Sequence, residues 1–306
     1  MHHFSLPSFA KVNLILRIVN RRRDGYHSLQ TLFQSLDLHD TLAFRFAPSH
    51  HFHVALDVQD SPIPSDGTNL IYKACRSFHE HHPLQHRVEV SIEKKIPVES
   101  GLGGGSSNAA VTLIALSRLY GWPLGRRTLL SIARQLGADV PFFLYGGSAL
   151  GTARGDQISP LPDLWPETPV LLALPGVTCS TAVIYRKYDE AGLLTAGRNS
   201  IKILLDQRPE SLRDFVSHFE NDLEKVVFAL YPELDSTKKR LVEQGAAAAL
   251  LTGSGSALFG LFEEAADRDR ASGAFPANVS TRFLSRREYR ERLGLPGRLR
   301  RTAAGA

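Results

Sequence analysis

Apolar and polar positions change rhythm several times along the chain, and each rhythm predicts an element. Phe4 to Val19 reads as one long extended stretch, with strand-like runs at Thr41–Phe46 and Phe52–Val58. Arg87 to Lys94 (RVEVSIEK) alternates with a period of two and predicts a strand. Helical spacing is read over Asn69–Phe78, over the apolar-rich run Ala109–Tyr120 and over Arg126–Leu136. The second half opens with a buried strand, Val170–Leu174, closed by Pro175-Gly176. Helices are expected at Thr181–Tyr188, Leu212–Phe219 and Pro232–Glu243, followed by strands at Ala248–Leu251 and Ala257–Phe262. The composition changes near Gly146–Gly155, which marks the candidate domain boundary, and no internal repeat is visible.

Two Gly/Ser-rich stretches interrupt these rhythms. The first, Pro97 to Ala110 (PVESGLGGGSSNAA), joins a strand to a helix. Glycines let a backbone turn its N–H groups inward, and a helix N-terminus adds a positive dipole end, so the junction favours a phosphate. A Ser or Asn there suits a helix N-cap. It is not a P-loop, because Gly105 is followed by Ser106 with no lysine, and Ser106 also breaks a dinucleotide fingerprint starting at Gly101. On local residues alone, a flexible loop before a capped helix fits as well. The second stretch, Thr252-Gly253-Ser254-Gly255-Ser256, runs strand to strand, so no helix dipole supports it and a plain hairpin turn is an equal reading.

Composition narrows the class. An apolar content of 43% and a charged content of 22% suit a globular protein, and no apolar run approaches the roughly 20 residues of a membrane span. The start, MHHFSLPSFAKVN, lacks the apolar core of a signal peptide. Two cysteines, Cys75 and Cys179, make no disulfide framework, so a reducing cytoplasm is expected. The net charge of +5 is concentrated at the end of the chain: residues 281–306 hold eight arginines against two glutamates. Residues 287–306 are therefore expected to form a flexible basic tail on a near-neutral body.

Few side chains suggest chemistry by themselves. Lys11 sits among strand formers, where a lone lysine would ordinarily face solvent. Asp139 lies between Ala138 and Val140-Pro141-Phe142-Phe143, a setting expected to desolvate it, although a turn or capping aspartate is also consistent. Arg21 to His27 (RRRDGYH) reads as a turn with two aromatic rings at its exit. His79, His81, His82 and His86 cluster, but Pro83 stands where a zincin motif needs its second histidine, and no metal ligand is assigned.

Taken in order, Ala10-Lys11-Val12-Asn13-Leu14, Arg23–His27, PVESGLGGGSSNAA, Leu136–Phe143, Asn221-Asp222-Leu223 and LTGSGSA resemble the GHMP kinase superfamily of small-molecule kinases, over residues 5 to about 286. Within it they are similar to the branch acting on 4-diphosphocytidyl-2-C-methylerythritol (CDP-methylerythritol) in non-mevalonate isoprenoid synthesis. The resemblance implies an α+β fold of two domains. Residues 1–152 would form a ribosomal-protein-S5-like ATP-binding domain with a left-handed βαβ crossover, and 153–286 a ferredoxin-like substrate domain. It further implies that Gly101, Leu102, Gly103, Gly104, Gly105, Ser106 and Ser107 wrap the phosphates of ATP, while Asn69 and Lys94 flank the adenine. Asp139 would be the base for the substrate hydroxyl, with Lys11 beside it. Asn13, Tyr26, His27, Tyr185, Thr252, Gly253 and Ser254 would bind the substrate, with Tyr26 and Tyr185 on the faces of the cytosine and His27 on its edge. Mg²⁺ would arrive with the nucleotide. Glu99 would place an anion near phosphates and is left out. The implied partner is the small-molecule substrate rather than nucleic acid or membrane, with the chain a monomer or homodimer. A different GHMP specificity, homoserine or mevalonate, and an RNA-binding role for the S5-like topology with its basic tail are the competing readings.

Overall fold

The computed structural model describes residues 1–58, 62–193, 201 and 212–295. Two long strands, β1 (His2–Arg21) and β2 (His27–Pro48), form an antiparallel hairpin about which the rest is assembled. Residues 8 to 16 of β1 are buried without a break, because both of its faces are covered. The pairing register shifts between Phe9 and Lys11 and again between Asn13 and Ile15. Such irregularities bend a strand and re-aim its side chains, and Lys11 and Asn13 fall between them.

The first sheet runs β3-β4-β2-β1-β8, with β5 (Ser148–Thr152) added to β2 and β6 (Gln157–Pro160) to β5. Its strands β3 (Val54–Asp57) and β4 (His86–Glu93) are parallel and joined through helix α1 (Leu70–His81). Helices α2 (Gly104–Leu119), α3 (Arg126–Leu136) and the single turn α4 (Val140–Phe143) share the core of this layer with Phe9, Phe33, Phe44 and Phe78. Ser107 to Ser117 of α2 are all buried, so the helix is enclosed on every side, which accounts for its lack of a polar stripe.

The second sheet is antiparallel, in the order β11-β7-β10-β9: β7 is Pro169–Ala173, β9 Ala248–Leu251, β10 Leu258–Leu261 and β11 Asn278–Arg282. Helices α5 (Thr181–Glu190), α6 (Glu224–Leu230), α7 (Pro232–Glu243) and α8 (Ala265–Ser272) accompany it. Two-residue β8 (Glu220–Asn221) pairs in parallel with Ile15–Leu16, which stitches this half onto the central hairpin. Among the described residues no helix is long and apolar enough to cross a membrane.

Three expectations are corrected. The hairpin β5–β6 belongs to the first sheet, which therefore extends to Pro160, past the expected boundary at 152. The helix read over Leu212–Phe219 is one α-turn, Leu212–Phe215, followed by a 3-10 turn, Val216–His218. The chain beyond Arg286 is not free up to Leu295. Helix α9 (Arg286–Arg292) is capped by the Ser285 hydroxyl, and its Tyr289 is fully buried in the first domain, donating to the Phe143 carbonyl at 2.6 Å. Arg287 of this segment pairs with Glu291 and Arg292 with Asp37, and Arg282 just before it pairs with Asp37 and Glu288. Residues 296–306 of the expected tail lie outside the described residues.

Candidate active site

The two domains meet over a cavity of about 920 Å³ that draws its walls from both. At its floor is Lys11, only 3% exposed, contrary to the expectation for a strand lysine. Its ammonium lies 3.3 Å from Asp139 Oδ2 and donates to Asn13 Oδ1 at 2.7 Å. The Asn13 amide in turn donates to Thr31 Oγ1 at 2.8 Å, and the Thr31 hydroxyl donates to the Ile15 carbonyl. A fixed chain of donors therefore aims the ammonium at the carboxylate.

Asp139 differs from the sequence reading. It is one-third exposed at the cavity wall rather than desolvated, and although it holds the N-cap position of α4 its side chain makes no capping bond. The capping alternative fails for that reason. The carboxylate has Lys11 as its cationic partner and one side open to the cavity.

The Gly-rich stretch arches over this pair. Gly101 and Gly103 have φ of +78° and +76°, in the left-handed region. The Leu102 carbonyl accepts the Lys11 amide at 3.0 Å, and the Leu102 side chain is buried, so only its backbone faces the site. Gly103 itself is the N-cap of α2, with no side-chain cap; Ser106 and Asn108, expected near that role, lie inside the helix. Ser107 is withdrawn from the phosphate-binding set. It is fully buried, its amide donates to the Gly103 carbonyl at 2.9 Å, and its hydroxyl accepts from Ser8 at 2.8 Å. The first turn, Gly104, Gly105 and Ser106, is left to present N–H groups at a helix N-terminus.

Asn69 and Lys94 are outside the cavity. Asn69 caps α1, its Oδ1 accepting from the Ile71 amide and its Nδ2 donating to the Pro64 carbonyl, so both polar atoms are occupied. The Lys94 ammonium is 2.5 Å from buried Asp40 and sits beside Gly104, where an added Cβ would lie 3.2 Å from it. Asp40 also accepts the amides of Lys95 and Ile96 at 2.9 and 2.8 Å, which pins the approach to the glycine loop. No local signal in the sequence marks Asp40 for this task.

The second Gly/Ser stretch is more than a hairpin turn. The Ala257 amide donates to the Ser100 carbonyl at 3.1 Å, and the Thr252 hydroxyl to the Gly101 carbonyl at 3.3 Å, so the loops of the two domains interlock. Asn221 Nδ2 donates to the carbonyls of Leu251 and Gly253 and holds the strand end in place. Gly253 adjoins the Lys11 ammonium, and the Ser254 hydroxyl is 2.7 Å from that of Thr181.

The far end of the cavity brings together the remaining predicted residues. The rings of His27 and Tyr185 pack 5.1 Å apart at an interplanar angle of 31°. Burial, assisted by the charge of Asp139, pushes the Tyr185 phenol above its ordinary pKa, so it stays neutral. His27 Nε2 lies 2.7 Å from Asp189 Oδ1, a partner 162 residues away that sequence reasoning missed. Tyr26 is 59% exposed, with the Arg154 guanidinium 5.3 Å over its ring. Tyr26 and Tyr185 line the same cavity. Arg154 is a missed contributor, held by Asp156 at 2.8 Å.

Comparison with known proteins defines the class. Residues 69–147 match the model of the GHMP kinase N-terminal domain, and residues 200–281 that of the GHMP kinase C-terminal domain. The chain belongs to the GHMP kinases. Within that class its relatives are 4-diphosphocytidyl-2-C-methyl-D-erythritol kinases. The one from Solibacter usitatus is 39% identical over 292 residues, covering 94% of this chain and 91% of the relative. That from Moorella thermoacetica is 36% identical, covering 93% of this chain and all of the relative. A crystal structure of 4-(cytidine 5′-diphospho)-2C-methyl-D-erythritol kinase superposes with a TM-score of 0.75 at 33% identity, over 92% of this chain and 99% of that one. Homoserine kinase from Cytophaga hutchinsonii, at 20% identity and a TM-score of 0.61, shares the fold.

Proposed function

We propose that this kinase transfers the γ-phosphoryl group of ATP to the 2-hydroxyl of 4-diphosphocytidyl-2-C-methyl-D-erythritol, giving the 2-phosphate and ADP for isoprenoid precursor synthesis. One observation carries the reading: Lys11 and Asp139, 3.3 Å apart, lie between a phosphate-type loop and a pocket of aromatic rings. Phosphoryl transfer asks a protein mainly to position groups and to balance spread charge. The N–H groups at the start of α2 face the nucleotide phosphates. Asp139, paired with Lys11 at 3.3 Å, accepts the proton of the substrate hydroxyl as its oxygen bonds to the γ-phosphorus and the bond to the ADP oxygen breaks. Lys11 also meets the charge that develops on the transferring group. Mg²⁺ would come with the nucleotide, and the Ser106 hydroxyl is one protein oxygen at that helix end. At the far end the cytosine lies between Tyr26 and Tyr185, with His27 set by Asp189 for the base edge. The site works in a cytoplasmic enzyme whose partner is this small molecule.

The test is a substrate panel. With labelled ATP, CDP-methylerythritol should be phosphorylated with a kcat/KM at least about 10³-fold above homoserine or mevalonate, because a pocket built to hydrogen-bond a base rejects molecules lacking it. Equal or better turnover of either alternative would overturn the assignment.

A further inference from the structure

Five cationic side chains line the cavity, and four of them already have a carboxylate. Lys11 pairs with Asp139, Arg21 with Asp189 at 3.4 Å, Arg154 with Asp156, and Arg186 with Glu190 at 3.9 Å. The fifth is Arg134 on α3. It has no carboxylate within ion-pair distance among the described residues, and its Nε donates only to the Asp156 backbone carbonyl at 3.3 Å.

Its position matters as much as its free charge. From Arg134 the wall of the cavity continues through Gln135, Leu136, Gly137 and Ala138 to Asp139, where the reacting hydroxyl would lie. On its other side the Arg134 carbonyl accepts from Arg154 Nη2 at 3.3 Å, and Arg154 covers the ring of Tyr26. Arg134 thus stands between the reacting end of the cavity and the base-binding end. A cytidine diphosphate ester spanning those ends carries its two phosphates in between. A planar guanidinium with unused N–H groups matches phosphate oxygens in pairs.

We propose that Arg134 binds the diphosphate bridge of the substrate and that the Asp156–Arg154 pair sets its position and backs Tyr26. The inference rests on the proposed function, since it needs a substrate with a diphosphate at mid-length. Arg134 is exposed, so its replacement should leave the fold intact.

The experiment compares wild type, Arg134→Gln and Arg134→Lys for steady-state kinetics with CDP-methylerythritol, and for binding of CDP and of cytidine. Arg134→Gln should raise KM for CDP-methylerythritol roughly tenfold or more, keep KM for ATP within about twofold and kcat within about threefold. CDP should lose affinity by a similar factor while cytidine is bound as in wild type. Arg134→Lys, which keeps the charge but not the fork, should fall between. An unchanged KM in a protein that still phosphorylates CDP-methylerythritol overturns the inference alone. A raised KM for ATP overturns it by placing Arg134 on the nucleotide. Wild-type protein without activity on CDP-methylerythritol overturns the functional reading, and this inference with it.

Discussion

At the scale of single residues, the site is a set of side chains whose roles are defined by partners distant in sequence. Lys11 and Asp139 carry no local signal; a lysine in a strand and an aspartate in a turn are ordinary. Two register breaks in β1 and the Asn13–Thr31 chain turn the lysine inward. His27 illustrates the same point, since the carboxylate that orients its ring is Asp189 on α5. His27→Ala should raise KM for CDP-methylerythritol at least about tenfold and leave KM for ATP within about twofold, because a lost hydrogen bond to a buried base costs about 1–3 kcal/mol. Steady-state kinetics with each substrate varied in turn check this; equal losses for both substrates would move the pocket.

At the scale of elements, legibility followed the strength of the pattern. Arg126–Leu136 and Pro232–Glu243 match the periodicity, because each shows an amphipathic face to a single layer. The first half of β2 escaped, since residues 27–40 mix buried polar groups such as Thr31, Gln34 and Ser35 with apolar ones and break the period of two. The glycine loop is legible as a strand-to-helix junction, but Ser107 does not lie at its open end. Sequence could not show that its hydroxyl faces Ser8 across the core. Nor could it show that the two Gly/Ser loops touch. A Cβ on Gly101 would overlap the Thr252 carbonyl oxygen, and its φ of +78° disfavours any other residue. Gly101→Ala should therefore part the two loops, lowering kcat/KM by about tenfold or more and the melting temperature by several degrees. Assays and thermal melts read both, and a variant with wild-type values would mean that the loops separate without consequence.

At the scale of the whole molecule, two domains meet over one cavity, and the end of the chain returns to brace the first of them. The basic C-terminal stretch looked like a solvated tail because its arginines outnumber its acids locally. For Arg282 and Arg292 the body supplies a partner, Asp37. Deleting residues 287–306 removes Tyr289 and Leu293 from the core. Loss of one buried aromatic costs about 3–5 kcal/mol, so a melt should show a fall of roughly 5 °C or more; an unchanged melt would show that α9 contributes no stability. The arrangement gives every other part of the cavity its purpose only if phosphoryl transfer happens at the Lys11–Asp139 pair. The most direct measurement is kcat of Asp139→Asn on CDP-methylerythritol at saturating ATP, beside its Kd for ATP. The expected result is a fall in kcat of about 10²–10⁴ with nucleotide affinity within about twofold, since the amide keeps the shape but cannot take the proton. A kcat within about threefold of wild type would contradict it.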